Sequence, residues 1–473
     1  RSYEELKAAL SGQEGEDGTR VPQQVHLILA DTLNGGGETL DAGSLLVGAG
    51  SVLEGNGYTL FGYTGVNVFA FENGEEILFR NFYLGCEEKP IVGFASGGGD
   101  VGLIAGFNES ITRWDNCHVY ADLTVTGGGN VAAWIAAPKG THTFIGCSTY
   151  GRILSSNNSA PWGGYVMDGE TSMTFENCTN YAEVQGSAYA GGFIAHVNQQ
   201  VGAEKLTFLN CTNYGELSGG TVGGIMGHNR KNATFTNCVN DSNLTGSSHV
   251  GGIVALTSTN SSASMTLTGC RNYGSIQSSS GNAAGIVANN QITQCTMTDC
   301  VNVGDVVSSS QHVGGFVGWN AGGLTVERGL NAGDISGAHS AGIVGRSDTG
   351  KPVQLVDCAN IGTIRQTVAE GSASNIGGYM TGSSGTITGC YALGRLHSTK
   401  YPGILVCSQS TVSTSEGNRY FEFGNTEDAS ATGLDESSLV SELEEALRLL
   451  EERFESLHFK IADGSIVLDM AEA

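Results

Sequence analysis

The sequence predicts an all-β fold: a right-handed parallel β-helix of about a dozen coils of about 30 residues, with short helical elements at both ends. Three observations predict it. A cysteine recurs at a nearly constant interval, other residue types keep its phase, and short β-rich runs alternate with Gly, Asn and Ser turns.

Cys86, Cys117, Cys147, Cys178, Cys211, Cys238, Cys270, Cys300, Cys358 and Cys390 set the period, with Gly329 standing where a cysteine is due. Only Cys295 and Cys407 fall outside it. Three residues before each position is a bulky apolar residue: Trp114, Phe144, Phe175, Phe208, Phe235, Leu267, Met297, Val326, Leu355 and Ile387. Two after it comes Asn180, Asn213, Asn240, Asn272, Asn302, Asn331 and Asn360. Four after it is a small residue such as Gly215 or Gly304, and six after it an aliphatic such as Val184 or Ile276. One coil cannot bury its apolar side alone, so neighbours stack at about 4.8 Å and like residues fall one above another. Asparagine suits such a column, because it tolerates αL turns and its amide can bond along the stack. The thiols read as small buried hydrophobes rather than disulfides, and no CxxC pair supplies zinc spacing. Neither a cofactor nor a metal is expected. Right-handedness follows from the prevailing chirality of parallel crossovers.

The ends differ. Ser2-Tyr3-Glu4-Glu5 fits a capping box opening a helix through Leu10. Residues 437–459 carry an amphipathic helical stripe of Leu439, Leu443, Ala446, Leu447, Leu450, Phe454 and Leu457. Phe459 to Leu468 then reads as a hairpin turning on Asp463-Gly464. The expected organisation is a cap helix with irregular first coils over 1–84, solenoid repeats over 85–410, and a helix-and-hairpin cap over 411–473.

Composition agrees with a repeat protein. There are 72 glycines but 6 prolines, which excludes collagen, while 40% hydrophobic and 15% charged residues exclude disorder. A net charge of −25 disfavours nucleic acid as a partner, and no run of 18 apolar residues offers a membrane span. Arg1 rather than Met begins the chain, which points to a processed or excised piece of a larger secreted protein.

A glycine motif follows each aliphatic strand. It reads Gly192-Phe193-Ile194-Ala195, Gly223-Gly224-Ile225-Met226, Gly251-Gly252-Ile253-Val254, Ala284-Gly285-Ile286-Val287, Gly314-Gly315-Phe316-Val317, Ala341-Gly342-Ile343-Val344 and Gly377-Gly378-Tyr379-Met380. Preceded by Cys-x-Asn-x-Gly-x-aliphatic, it resembles the GLUG-motif repeats of bacterial extracellular and cell-surface proteins, over about residues 100–395. The resemblance implies a secreted or wall-attached β-solenoid, often a module of adhesins, with no defined catalytic residues to transfer. Such repeats also accompany bacterial metallopeptidases that cleave immunoglobulin A, but their His-Glu-x-x-His motif is absent here.

Several columns carry chemistry-bearing residues. Four residues after the second motif glycine come Asp168, His196, His228, Leu256, Asn289, Trp319 and Arg346, an Asp-His-His stack followed by mixed polar groups. Two before the first glycine come Tyr189, Thr221, His249, Asn282, His312, His339 and Asn375. Acidic pairs, Glu183 with Glu216 and Asp305 with Asp334, place like charges on adjacent coils. Trp134, Trp162, Tyr165, Trp319 and Tyr379 lie near the glycine motifs, and Tyr181, Tyr214 and Tyr273 follow the asparagines, which makes them glycan-stacking candidates. Thr234/Thr236, Thr266/Thr268 and Thr296/Thr298 form paired threonines, a minor ice-binding signal. The expectation is an extracellular adhesion or ligand-binding module for a surface glycan or host protein. A polysaccharide lyase or glycoside hydrolase on the same scaffold is the alternative.

Overall fold

Alternation in the strand before each cysteine sets the first face of the coil. In Ser172–Glu176 the side chains of Met173 and Phe175 turn inward and Ser172, Thr174 and Glu176 outward, the period of two expected of a half-buried strand. The computed structural model describes residues 2–167, 169, 171–198, 205–258, 263–309, 311–380, 384–397, 402–403, 413–414, 417–420 and 436–470. It is a parallel β-solenoid of about 12 turns, distributed over two units, Arg1–Ser242 and Asn243–Ala473. On the first face, unit 1 contributes eight parallel strands, from His26–Ile28 to Asn232–Thr236, and unit 2 six, from Ser264–Thr268 to Ser413–Thr414. The stretch before residue 84, expected to be irregular, supplies strands to the same sheet: Val52–Glu54 pairs with His26–Ile28 and with Ile77–Arg80.

The turn out of this face is the same in every coil from Cys117 onward. The residue just before the cysteine position is Asn116, Gly146, Asn177, Asn210, Asn237, Gly269, Asp299, Arg328, Asp357 or Gly389, and each has φ of 47–64°. These are the residues that enter αL cheaply, Arg328 excepted. The αL corner is therefore one residue before the cysteine, not in the asparagine column.

The asparagine column does something else. In unit 1 the Asn180 amide donates to Asn213 at 2.8 Å and Asn213 to Asn240 at 2.9 Å. In unit 2 the chain runs Asn272, Asn302, Asn331, Asn360 and on to Asn375, at 2.6–2.8 Å per step. From Asn180 to Asn360 each Nδ2 also donates to a carbonyl two residues on, such as Gly304 O at 2.9 Å; at the ladder's end the Asn375 Nδ2 has no partner. Glycine columns exist to let this ladder in: a Cβ on Gly285 would lie 2.1 Å from the Asn302 side chain.

The described cysteines are free thiols, and those of the column from Cys117 on are buried. Their sulfurs lean on carbonyls of the preceding coil, as Cys178 does on Phe144 O at 3.4 Å. Gly329 replaces a cysteine because Phe316 occupies the space: a Cβ there would meet the Phe316 ring at 2.8 Å. Cys407 lies outside the described residues.

Both ends form helices. Helix α1, Tyr3–Ala9, carries the full capping box, with the Ser2 hydroxyl taking the Glu5 N–H and the Glu5 carboxylate the Ser2 N–H. Helix α2 spans Glu436–Arg453 and stops six residues before the expected 459; Phe454 and Leu457 continue its apolar stripe through a turn. The hairpin forms as expected, Phe459–Ala462 against Ser465–Leu468, with Asp463 and Gly464 both at positive φ as a two-residue turn requires.

Candidate functional site

The position three residues after the cysteine faces outward in unit 1 and holds Tyr120, Tyr150, Tyr181 and Tyr214. Their rings stack nearly parallel, with centroids 4.4, 4.8 and 5.3 Å apart. Tyr181 and Tyr214 are 46% and 47% exposed. Beside Tyr120 and Tyr150 runs a second column in which Asp122 and Arg152 pair at 3.1 Å. Between the columns lies a depression of ≈ 550 Å³, floored by Ala121 and Gly151 and closed on one side by Glu87 and Pro90. Gly151 sits at φ +90°, and a Cβ there would strike Ala121 O at 2.0 Å, so only glycine keeps this floor low. Burial, as the largest cause, raises the Tyr120 and Tyr150 phenols above their ordinary value. Both stay protonated at neutral pH and present hydroxyl donors beside an ion pair. Tyr120 and Tyr150 were missed in the sequence, although the three-residue offset from the cysteine would have found them.

The other predicted columns do come together, as largely buried polar ladders. In unit 1, His196 and His228 stack at 4.8 Å with Tyr189 against both, and Tyr165 meets His196 edge-on at 5.0 Å. Tyr165, not Asp168, is in register with His196, so the expected Asp-His-His order is corrected to Tyr-His-His; Asp168 itself lies outside the described residues. Desolvation, helped by Arg230, lowers His196 to about 4, which holds it neutral.

In unit 2, Arg346 Nη1 donates to His312 Nε2 at 3.2 Å, and His312 Nδ1 faces Asn282 Oδ1 at 3.0 Å. Trp319 Nε1 donates to Asp348 at 2.8 Å, Arg346 pairs with the same carboxylate, and His312 and His339 stack at 5.1 Å. Burial first, then Arg346, lowers His312 to about 3. Ser372, not Asn375, pairs with His339, and Tyr379 pairs with Arg346. The last motif copy is therefore Ser374-Asn375-Ile376, three residues before the expected one, and Asn375 ends the asparagine ladder instead.

Two site expectations fail on burial and bonding. Trp162 is 0% exposed, stacked on Phe193 at 4.5 Å, so it is core and unavailable to a ligand. Trp134 is equally buried. Asp305 accepts the Asp334 N–H at 2.9 Å and Asp334 the Thr363 N–H at 2.8 Å, so these carboxylates tie coil to coil rather than forming an acid–base pair. The threonines make one regular outward column, Thr266 beside Thr296 beside Thr325 in unit 2, but its companion column breaks at Glu327.

Fold and strip together define the class: a parallel β-solenoid with an open aromatic strip on its side. Compared with protein-family models, curated proteins and solved structures, the chain matches none of them.

Proposed function

We propose that the chain is an extracellular or cell-surface adhesion module of bacterial GLUG-repeat type, and that its ligand is a glycan. The observation that carries this is the exposed tyrosine strip with its ≈ 550 Å³ depression. Aromatic edges, hydroxyl donors and a carboxylate–guanidinium pair around a shallow floor are the mixture that recognises a sugar's apolar faces and hydroxyls together. Binding is favoured over catalysis because three of the titratable candidates are already engaged: His312 between Arg346 and Asn282, and Asp305 and Asp334 on backbone N–H groups. No helix among the described residues is long and apolar enough to cross a membrane.

A glycan array run beside a reducing-sugar assay on the same polysaccharides tests the reading. Retention of a glycan without product release is the expected result. Release of oligosaccharides would replace this reading with an enzyme, and retention of nothing would remove the glycan.

A further inference from the structure

A second groove opens on unit 1, away from the tyrosine strip. In the strand Ala105–Asn108, Phe107 alone faces out, and it is 50% exposed. It borders a depression of ≈ 580 Å³ that runs into another of ≈ 420 Å³ through two shared residues, Asn73 and Glu109. Glu109 accepts from the Asn73 amide at 3.0 Å and from Lys139 at 3.1 Å.

Asn108 lines the same groove and is only 3% exposed. Its Oδ1 takes the Ser110 N–H and hydroxyl at 2.9 and 2.6 Å, but its Nδ2 has no partner. Where a comparable corner asparagine in unit 2, Asn290, bonds onward to Asn320 at 2.8 Å, the residue in register with Asn108 is Pro138, whose ring offers no acceptor. A buried donor without an acceptor is costly, and a ligand oxygen removes that cost. Among the charged groups, Asp100 and Glu109 outnumber Lys139, so the groove disfavours an anion.

We propose that this groove binds a neutral glycosyl unit, with Phe107 against the apolar face of the sugar and Asn73, Asn108 and Glu109 on its hydroxyls. The proposal rests on the glycan-binding reading and adds a second site with a charge preference.

The test uses immobilised cello-, xylo-, manno- and chito-oligosaccharides with oligogalacturonate as the anionic probe. Phe107→Ala is expected to weaken binding of a neutral oligosaccharide about tenfold, with the melting temperature unchanged. Tyr150→Ala is expected to leave that component in place. Asn73→Ala, at an exposed side chain, reads the same groove should Phe107→Ala prove unstable. Neutral binding unchanged in the groove variants, or a groove component that prefers oligogalacturonate, overturns the proposal while leaving the tyrosine strip standing. If the wild-type chain retains no oligosaccharide, both readings fall.

Discussion

The same two columns of the coil meet opposite fates in the two units. In unit 1 the positions one and three after the cysteine are polar and aromatic, such as Ser148 with Tyr150 and Thr179 with Tyr181, and the tyrosines stand in the open. In unit 2, past Arg271 with Tyr273 in its first coil, they become Val301 with Val303, Leu330 with Ala332, and Ala359 with Ile361. There they are roofed by Leu443, Ala446, Leu450, Phe454 and Leu457 of α2 and its turn, and by Phe459 and Ile466 of the hairpin. Arg453 fixes the roof, stacked 3.6 Å over Tyr391 and paired with Asp357 at 3.5 Å. A solenoid side is not committed to solvent or to cover by its backbone; two side chains per coil decide it.

The interiors differ as well. Unit 1 is filled by rings, Phe144, Phe175, Phe208 and Phe235 stacked at 4.8–5.1 Å, with Phe193 edge-on to Phe175 at 5.6 Å. Unit 2 places Leu267, Met297, Val326, Leu355 and Ile387 at the same positions. Yet both units run the same asparagine ladder, which makes it the shared scaffold.

The largest expected effect comes from lifting the roof. Leu450→Asp, at a fully buried site on α2, should cost about 4 kcal/mol. Hydrogen exchange should then rise at Val301, Leu330 and Ala359 while the tyrosine strip keeps its protection. The two cores come next: Phe175→Ala should cost about 4 kcal/mol and Leu355→Ala about 3, because the ring also loses stacked neighbours. Urea unfolding of the two variants measures the gap, and equal costs would erase the distinction.

Acid should weaken both units. Burial holds His142 and His196 down to about 4 in unit 1, and His312 to about 3 in unit 2. Below the ordinary value near 6.5 the unfolded chain takes protons that the folded chain refuses. Stability should therefore be flat above about pH 7 and fall toward pH 4, by about 1.4 kcal/mol per pH unit for each such histidine. A melting series against pH checks this, and His312→Asn should reduce the slope by about one proton. The shared ladder gives the next effect: Asn213→Ala and Asn302→Ala should each cost about 2 kcal/mol, alike in the two units, by stranding buried amide groups. Smallest is the strip itself, where Tyr181→Ala should change stability by less than about 1 kcal/mol, since the ring is already half in water.

The period, the stacking, both helices and the terminal hairpin were legible in the sequence because each is a repeated or local pattern. What misled was the glycine pair. Gly163-Gly164 and Gly377-Gly378 look like the motif, yet they lie three residues beyond its place, since Trp162 and Ile376 hold the inward position of Phe193 and Ile343. A dipeptide without Cβ atoms carries no direction, whereas a large inward side chain does. Phe107 escaped notice for a related reason: nothing local shows that a phenylalanine in a strand of small residues is the one facing out.

The proposed ligand face is the open tyrosine strip of unit 1, and not its counterpart in unit 2. Retention on the oligosaccharide panel tests it most directly, with the wild-type chain, the double variant Tyr120→Ala/Tyr150→Ala and the unit 2 variant Tyr273→Ala side by side. The double variant is expected to lose the Tyr150-dependent component at an unchanged melting temperature, while Tyr273→Ala binds as the wild type does. Full retention by the double variant, or an equal loss from Tyr273→Ala, would contradict it.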